Sequence, residues 1–154
     1  MDRRASDNQY LHKDFHGALS SALIYLQDRF GPEAVREYLR EFARRYYAPV
    51  RKDMTKRGLE AMADRLRRVY EAEGAEVHLQ MTEESLIVEV AACPAVTHMR
   101  EHGYDVAPMW RETIRSVNQG VCEGGAYDFE LLEYCDDTGA SKGRFFRRDE
   151  EESA

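Results

Sequence analysis

The sequence predicts a single α+β domain in which helices come first and an antiparallel sheet of about four strands follows. Two patterns support this prediction. Apolar residues recur at helical spacing up to Gly74, and from Val77 onward they alternate with polar residues in short runs, as in strands with one buried face. The strands fall into two hairpins with helical sequence between them. This layout favours an antiparallel sheet with helices packed on one face.

The first half of the chain is predicted to be helical. A first helix ends at Gly31-Pro32, because Gly suits the position after a helix end and Pro suits the first position of the next helix. Pro49 interrupts the second helix, and Gly58 breaks the segment that follows it. The predicted helices span residues 10–30, 32–47 and 50–73. Their inward-facing positions include Leu11, Phe15, Leu19, Leu23, Leu26, Val35, Leu39, Phe42, Tyr46, Leu59, Met62, Leu66, Val69 and Tyr70.

The second half is predicted to contain two hairpins separated by two helices. Turns at residues 82–84 and 136–139 join the strands of each hairpin. Pro94 opens the first of the two helices, Pro108 opens the second, and glycines end both. The predicted strands are residues 77–81, 86–90, 127–131 and 142–148, and the predicted helices are residues 93–102 and 108–124.

Length and composition indicate one globular domain over residues 10–148. The chain has 154 residues, of which 43% are hydrophobic and 33% charged, as in ordinary folded domains. The polar segment 1–9 and the acidic tail 149–154 are expected to be disordered. The formal net charge is −7, which argues against nucleic acid or an anionic membrane as partner, since either needs a basic face.

Targeting signals and cysteine usage favour a cytoplasmic protein. No run of about 18 apolar residues is present, so no transmembrane span is expected. The first ten residues are basic but no apolar stretch follows them, which excludes a signal peptide. The odd number and wide spacing of Cys93, Cys122 and Cys135 predict free thiols in a reducing compartment. Without a P-loop, dinucleotide fingerprint or Gly-x-Ser-x-Gly elbow, we expect no cofactor and no serine-hydrolase mechanism.

Cys93 is the residue at which the sequence most directly indicates chemistry. A residue immediately before Pro at a helix start occupies the N-cap, beside unpaired backbone N–H groups and the positive end of the helix dipole. That position lowers the pKa of a thiol and favours the nucleophilic thiolate. His98 lies on the same short helix, and Cys–His is a known activated pair, so both are candidate catalytic residues. The alternative is that Cys93 is a small buried residue that fills the corner between strand and helix.

Several polar side chains are candidates for binding a substrate. The predicted helix 108–124 places Arg115, Asn118 and Cys122 beside its apolar stripe. A guanidinium there suits a carboxylate through bidentate hydrogen bonds. His16 and Tyr127 are the other candidates for lining the pocket. The alternatives are a solvated helix face for the arginine and core packing for the tyrosine.

Two histidine pairs raise a metal site as a further alternative. His12 and His16 are four residues apart, and so are His98 and His102, a spacing that places each pair on one helix face. The segment His-Lys-Asp-Phe-His is not the metalloprotease helix pattern. We therefore expect no metal, with a site built from His12, His16 and His98 left open. His102 is expected to be exposed or to cap its helix.

Cys93-Pro94 follows an alternating strand, and a short helix and then a longer helix follow it. The segments Gly120–Gly124, Tyr127–Cys135 and Gly143–Phe146 complete the pattern. Over roughly residues 75–148, these features resemble the bacterial L-2-amino-thiazoline-4-carboxylic acid hydrolase family. They are also similar, more remotely, to the 4-vinyl reductase type of small-molecule-binding domain.

The resemblance implies an α+β ligand-binding fold that is often oligomeric, and the hydrolytic opening of a cyclic thiazoline that carries a carboxylate. We therefore expect a hydrolase acting on a C–N bond of a cyclic carboxylated compound, in a pocket near Cys93. Cys93 would serve as nucleophile or polar anchor and His98 as base, with Asn118 or an arginine holding charge on the substrate. The alternative is a non-catalytic small-molecule-binding or sensor domain. The expected partners are a small-molecule ligand and further copies of the chain in a homo-oligomer.

Overall fold

The computed structural model of the protein describes residues 9–149, with side chains described from Asp14 onward. Four helices precede the first strand, and two more lie between the two hairpins, so the predicted α+β architecture is confirmed. The helices are α1 (Gln9–Phe30), α2 (Pro32–Tyr46), α3 (Ala48–Arg57), α4 (Leu59–Ala72), α5 (Pro94–Glu101) and α6 (Glu112–Cys122). The strands are β1 (His78–Met81), β2 (Ser85–Val90), β3 (Tyr127–Tyr134) and β4 (Ser141–Arg147).

The four strands form one antiparallel sheet in the order β1-β2-β4-β3. Each predicted hairpin is present, and β2 pairs with β4 to join the two hairpins at the centre of the sheet. In that central pairing Leu86 lies opposite Phe145, and both side chains are buried. Gly143, also on β4, leaves room for the Phe129 ring, which would lie 2.5 Å from a Cβ atom at that position.

Several details differ from the predicted elements. The long helix begins at Glu112 rather than Pro108, because residues 107–111 form tight turns in which the Trp110 and Glu112 amides bond to carbonyls three residues back. Phe15, Tyr46 and Val69, predicted to face inward, are 66%, 68% and 40% exposed. The Tyr46 ring is not left in open solvent, since it stacks on Phe42 with 5.2 Å between centroids.

The core consists of two apolar clusters. The first packs α3, α4 and α6 against the sheet, with Phe129 and Phe145 at its centre. The second joins α1, α2 and α5 around Leu23 and Trp110. Val117 on α6 contacts both clusters, so this helix connects the sheet to the N-terminal helices.

The described helices include none that is long and apolar enough to cross a bilayer. Gln9, placed in the polar N-terminal segment by the sequence, already belongs to α1. The expectations for residues 1–8 and 150–154 lie outside the described residues.

Candidate functional site: the groove beside Cys93

Cys93 lies at the corner between β2 and α5. Its backbone is extended and it occupies the N-cap of α5, ahead of Pro94, as the sequence predicts. Its amide donates to the Thr138 carbonyl (3.0 Å) and its carbonyl accepts from the Thr97 amide (3.0 Å). The half-buried thiol makes no capping hydrogen bond. The helix start therefore holds the Cys93 backbone, and the Cys93 side chain packs against the apolar cluster around Leu23 and Trp110.

The turn between β3 and β4 packs directly on this corner. Gly139 has a φ of +70°, and a Cβ atom on it would lie 2.4 Å from the Cys93 Cβ and 2.9 Å from the Val96 Cγ2. Only glycine combines this left-handed backbone with so close an approach. The second hairpin is thereby fixed against Cys93, and the end of β3 comes with it.

A groove of about 900 Å³ opens beside this corner, between the end of α4 and one end of the sheet. We call it the tyrosine groove, after Tyr70 from α4 and Tyr134 from β3. The groove is also lined by Arg67, Glu71, Ala75, Glu76, Val77, His78, Glu89, Val90, Ala91, Glu133, Cys135, Ala140, Ser141 and Lys142.

The two tyrosines are close to Cys93. Burial first, and then the charge that a Cys93 thiolate would carry, raise the pKa of Tyr134 to about 12 and raise the pKa of Tyr70 further above its ordinary value. Both phenols therefore remain protonated at neutral pH and can donate a hydrogen bond. The guanidinium of Arg111 lies 5.3 Å from the centre of the Tyr134 ring.

The charged residues of the tyrosine groove include four carboxylates, on Glu71, Glu76, Glu89 and Glu133, against the cations of Arg67 and Lys142. The Lys142 ammonium lies 3.5 Å from the Glu89 carboxylate, and Arg67 pairs with Asp64 (3.1 Å). The rim of the groove is therefore acidic, and its cations are already engaged by carboxylates.

His98 lies on the other side of α5, towards α1. It is buried, with Nε2 3.5 Å from the Asp14 carboxylate. Its ring stacks on His102 with 4.0 Å between centroids, and the Tyr104 hydroxyl donates to the same carboxylate (3.4 Å). His102 also caps the helix through the His98 carbonyl (2.8 Å). His98 thus faces Asp14 on α1, while the Cys93 backbone bonds to the turn between β3 and β4.

His16, on α1, contacts the C-cap residue of α4 and Trp110. Its Nε2 is 3.7 Å from the Glu73 carboxylate, and its ring meets the edge of Trp110 at 6.4 Å. Among the described side chains, no group of three or more His, Cys, Asp or Glu is arranged to hold a metal ion. The side chain of His12 lies outside those described.

Arg115 is engaged with a buried carboxylate on its own helix. The Glu112 side chain is 1% exposed and accepts hydrogen bonds from Arg36 (3.2 Å), Arg115 (3.2 Å to one oxygen, with a second contact to the other) and Ser116 (2.6 Å). These contacts tie α2 to α6. Asn118 is half-buried on the same helix.

Cys122 and Tyr127 meet in a second cavity, of about 410 Å³, at the far end of β3. Burial raises the pKa of the Cys122 thiol to about 12. The Tyr127 hydroxyl lies against Gly58, where a Cβ atom would be 2.9 Å away. These two residues, proposed from sequence for one pocket with Cys93, therefore belong to a different place.

Tyr70 and Tyr134 thus line a groove beside Cys93, and the sequence did not indicate Tyr70 for this site. Tyr70 was assigned to the core by its helical spacing, and Tyr134 stands at a strand end. Only the glycine in the turn at residues 136–139 could have indicated that this turn packs closely on another segment. The sequence of the turn does not specify which segment that is. No family model matches the chain, and no curated protein matches it.

Proposed function

We propose that the protein binds a small organic molecule in the tyrosine groove. The observation that supports this proposal is that Tyr70 of α4 and Tyr134 of β3, from two distant segments, line one groove beside the corner that holds the half-buried Cys93. A concave site with a few convergent polar groups is the usual form of a small-molecule site. Its volume of about 900 Å³ is in the range of such sites.

The groove offers a ligand both apolar and polar contacts. Val77, Val90 and Ala140 supply apolar surface, and the two phenols supply hydrogen-bond donors. A protonated phenol interacts well with a carbonyl or an imine nitrogen. The acidic rim favours a ligand that also carries an amine. These features fit a compact polar heterocycle.

The probe for this proposal is L-2-amino-thiazoline-4-carboxylate, the compound that the family resemblance implies. Isothermal titration measures its binding to the wild type, to Ala91→Trp and to Ala92→Trp. Ala91 lines the groove, whereas the neighbouring, equally exposed Ala92 does not. We expect Ala91→Trp to weaken binding at least tenfold and Ala92→Trp to change it less than twofold. Equal effects of the two variants, or no binding to the wild type, would contradict the proposal for this ligand.

A second candidate function is hydrolysis of a C–N bond in a cyclic carboxylated compound. It is favoured by the position of Cys93 at the N-cap of α5, near enough to influence two phenols that are able to stabilise developing charge. The Cys93 sulfur would bond to the ring carbon while a phenol protonates the ring nitrogen, and the C–N bond would break. Water would then attack the same carbon and release it from the sulfur. Overall one water is consumed, its oxygen replacing nitrogen on the carbon and its hydrogens ending on the released amine. His98 has no part in this scheme, because it faces Asp14.

Turnover of the same thiazoline by Cys93→Ala tests the second candidate. The matched control is Thr97→Ala, an exposed position on α5. We expect Cys93→Ala to lose more than a hundredfold in kcat with its fold intact by circular dichroism, and Thr97→Ala to keep wild-type turnover. Normal turnover by Cys93→Ala would exclude a nucleophilic role. If the wild type binds the thiazoline without turnover, only the binding function remains supported.

We also propose, from the resemblance, that the chain forms a homo-oligomer and, from its cysteine usage, that it is cytoplasmic. All three cysteines are free thiols, in keeping with a reducing compartment. Among its described side chains, α1 exposes the aromatic residues Phe15, Tyr25 and Phe30 by 66%, 55% and 68%, which supplies apolar surface for self-contact. Sedimentation equilibrium would show a mass that is a multiple of 17.9 kDa, and a monomer at high concentration would refute the oligomer.

A further inference from the structure

The cavity that contains Cys122 and Tyr127 lies at the opposite end of β3 from the tyrosine groove. Tyr127 begins this strand and Tyr134 ends it, so at about 3.3 Å per residue the two sites are ~20 Å apart. The cavity lies between α3 and the turn that connects α6 to β3. We call it the arginine cleft, after Arg51 and Arg147, which lie among its lining residues.

Arg51 is held in place by the end of α6. Its Nε donates to the Val121 carbonyl and its Nη2 to the Gly120 carbonyl, both at 3.1 Å. A guanidinium has five N–H donors, so these two bonds fix its plane and leave donors for another acceptor. A fixed guanidinium loses little conformational freedom when it binds a ligand.

Arg147 approaches the cleft from the sheet. It lies opposite Tyr127 in the β3–β4 pairing, and its guanidinium is 5.9 Å from the centre of the Tyr127 ring. Among residues 14–149 neither Arg51 nor Arg147 has a carboxylate partner, whereas nearby Arg57 has two and Arg148 has one. The cleft therefore contains two positive charges that the described part of the chain does not neutralise.

The remainder of the lining is neutral. None of the described residues that line the cleft is an Asp or Glu, and Met54, Val121 and Tyr127 give it apolar walls. The carboxylate of Asp128, which acts on Cys122, is paired with Arg148. The Cys122 thiol, its pKa raised to about 12 by burial, stays uncharged at neutral pH. Two guanidiniums beside apolar walls are complementary to an anionic group attached to an apolar body.

We infer that the arginine cleft is a second binding site, for a small organic carboxylate, with Arg51 and Arg147 holding the carboxylate and Tyr127 packing on its apolar part. The site is separate from the tyrosine groove and does not depend on the function proposed there. In a chain whose net charge is −7, such a site attracts an anion only through this local pair of cations.

Benzoate is the probe, and amide shifts in a ¹H–¹⁵N NMR titration are the measurement. We expect benzoate to shift the amides of Gly124, Gly125 and Ala126, and its neutral analogue benzamide to leave them in place. Arg147→Gln, at an exposed position, should weaken benzoate binding five- to tenfold. The control Lys56→Gln removes one positive charge from an exposed position on α3 outside the cleft and should change binding less than twofold.

The inference would be overturned by absence of benzoate shifts at these amides, by equal shifts with benzamide, or by equal losses in Arg147→Gln and Lys56→Gln. Shifts with inorganic phosphate but none with benzoate would also overturn it, because the apolar walls would then have no role. Ala91→Trp, which blocks the tyrosine groove, should leave the benzoate shifts unchanged. Because each site is tested with its own ligand, absence of thiazoline binding with benzoate binding retained would count against the tyrosine groove alone.

Discussion

Glu112 carries its charge with 1% of the side chain exposed. Burial alone would raise its pKa, but hydrogen bonds from Arg115, Ser116 and Arg36 outweigh burial and lower the pKa below the ordinary value of 4.5. A group with a lowered pKa in the folded state stabilises the protein above its unfolded pKa, and this stability is lost as the pH falls through the folded pKa.

Glu112→Gln tests this account at the level of one residue. Because the change leaves two guanidiniums without their shared carboxylate, we expect the free energy of unfolding at pH 7 to fall by about 2 kcal/mol, discounted for the partial exposure of the arginines. The difference should shrink as the pH drops below 4.5. Urea unfolding between pH 3 and 7 measures it, with exposed Glu60→Gln as control. A variant with wild-type stability at pH 7 would contradict the account.

The cysteines should differ in reactivity. Hydrogen bonds from the Thr138 hydroxyl and from the Thr138 and Asp137 amides lower the pKa of exposed Cys135, whereas burial raises that of Cys122 to about 12. We expect iodoacetamide to modify Cys135 at a lower pH than an ordinary exposed thiol and to spare Cys122 in the folded protein, with Thr138→Val moving the Cys135 profile to higher pH. Peptide mass spectrometry measures each rate. Unchanged Cys135 kinetics in Thr138→Val would show that the hydroxyl has no such effect.

At the level of elements, the packing of α6 on α2 depends on Gly120. A Cβ atom there would lie 2.8 Å from the Ala43 Cβ and 2.9 Å from the Arg40 carbonyl oxygen. Since a backbone atom cannot move aside cheaply, we expect Gly120→Ala to lower the free energy of unfolding by about 1–3 kcal/mol, despite the better helix propensity of Ala.

Gly17→Ala is the matched comparison for Gly120→Ala. Gly17 is also within a helix, but its Cβ would meet the ring of Tyr104 at 3.1 Å, and that ring is 42% exposed and can shift. The change should be neutral or stabilising by up to about 1 kcal/mol. Denaturant unfolding measures the free energy of unfolding of both variants. Equal destabilisation of the two would show that close packing at Gly120 is not the cause.

The sequence predicted individual elements well because their signals are local. Gly31-Pro32, Gly58 and Cys93-Pro94 each mark a boundary through their own backbone preferences. The pairing of β2 with β4 was not predictable in this way, since it joins segments separated by two helices. The start of α6 was misplaced because Pro108 suits a turn as well as a first helical residue.

At the level of the whole molecule, α6 links the two apolar clusters through Val117 and the Glu112 contacts. We therefore expect residues 9–149 to unfold as one cooperative unit. Trp110 is the single tryptophan and lies in the apolar cluster that joins α1, α2 and α5. Its fluorescence therefore reports on that cluster alone. Its urea transition should coincide with that of far-UV circular dichroism. An earlier tryptophan transition would indicate that the helical half unfolds independently.

The composition of the site was less predictable than the fold. The N-cap position of Cys93 followed from the Pro after it, a local signal. Its neighbours Tyr70 and Tyr134 come from a helix and a strand that only the folded sheet brings together. His98 was paired with Cys93 by closeness in sequence, but the helix turns it towards Asp14. Closeness in sequence does not determine the direction of a side chain, and the direction of the His98 side chain is the reason why it does not pair with Cys93.

A crystal structure with L-2-amino-thiazoline-4-carboxylate bound would test the central claim, that the tyrosine groove is the ligand site, most directly. We predict the heterocycle between Tyr70 and Tyr134, within hydrogen-bond distance of at least one phenol oxygen and in contact with Cys93. The same compound found only outside the groove, at a concentration where titration shows the protein to be saturated, would contradict the claim.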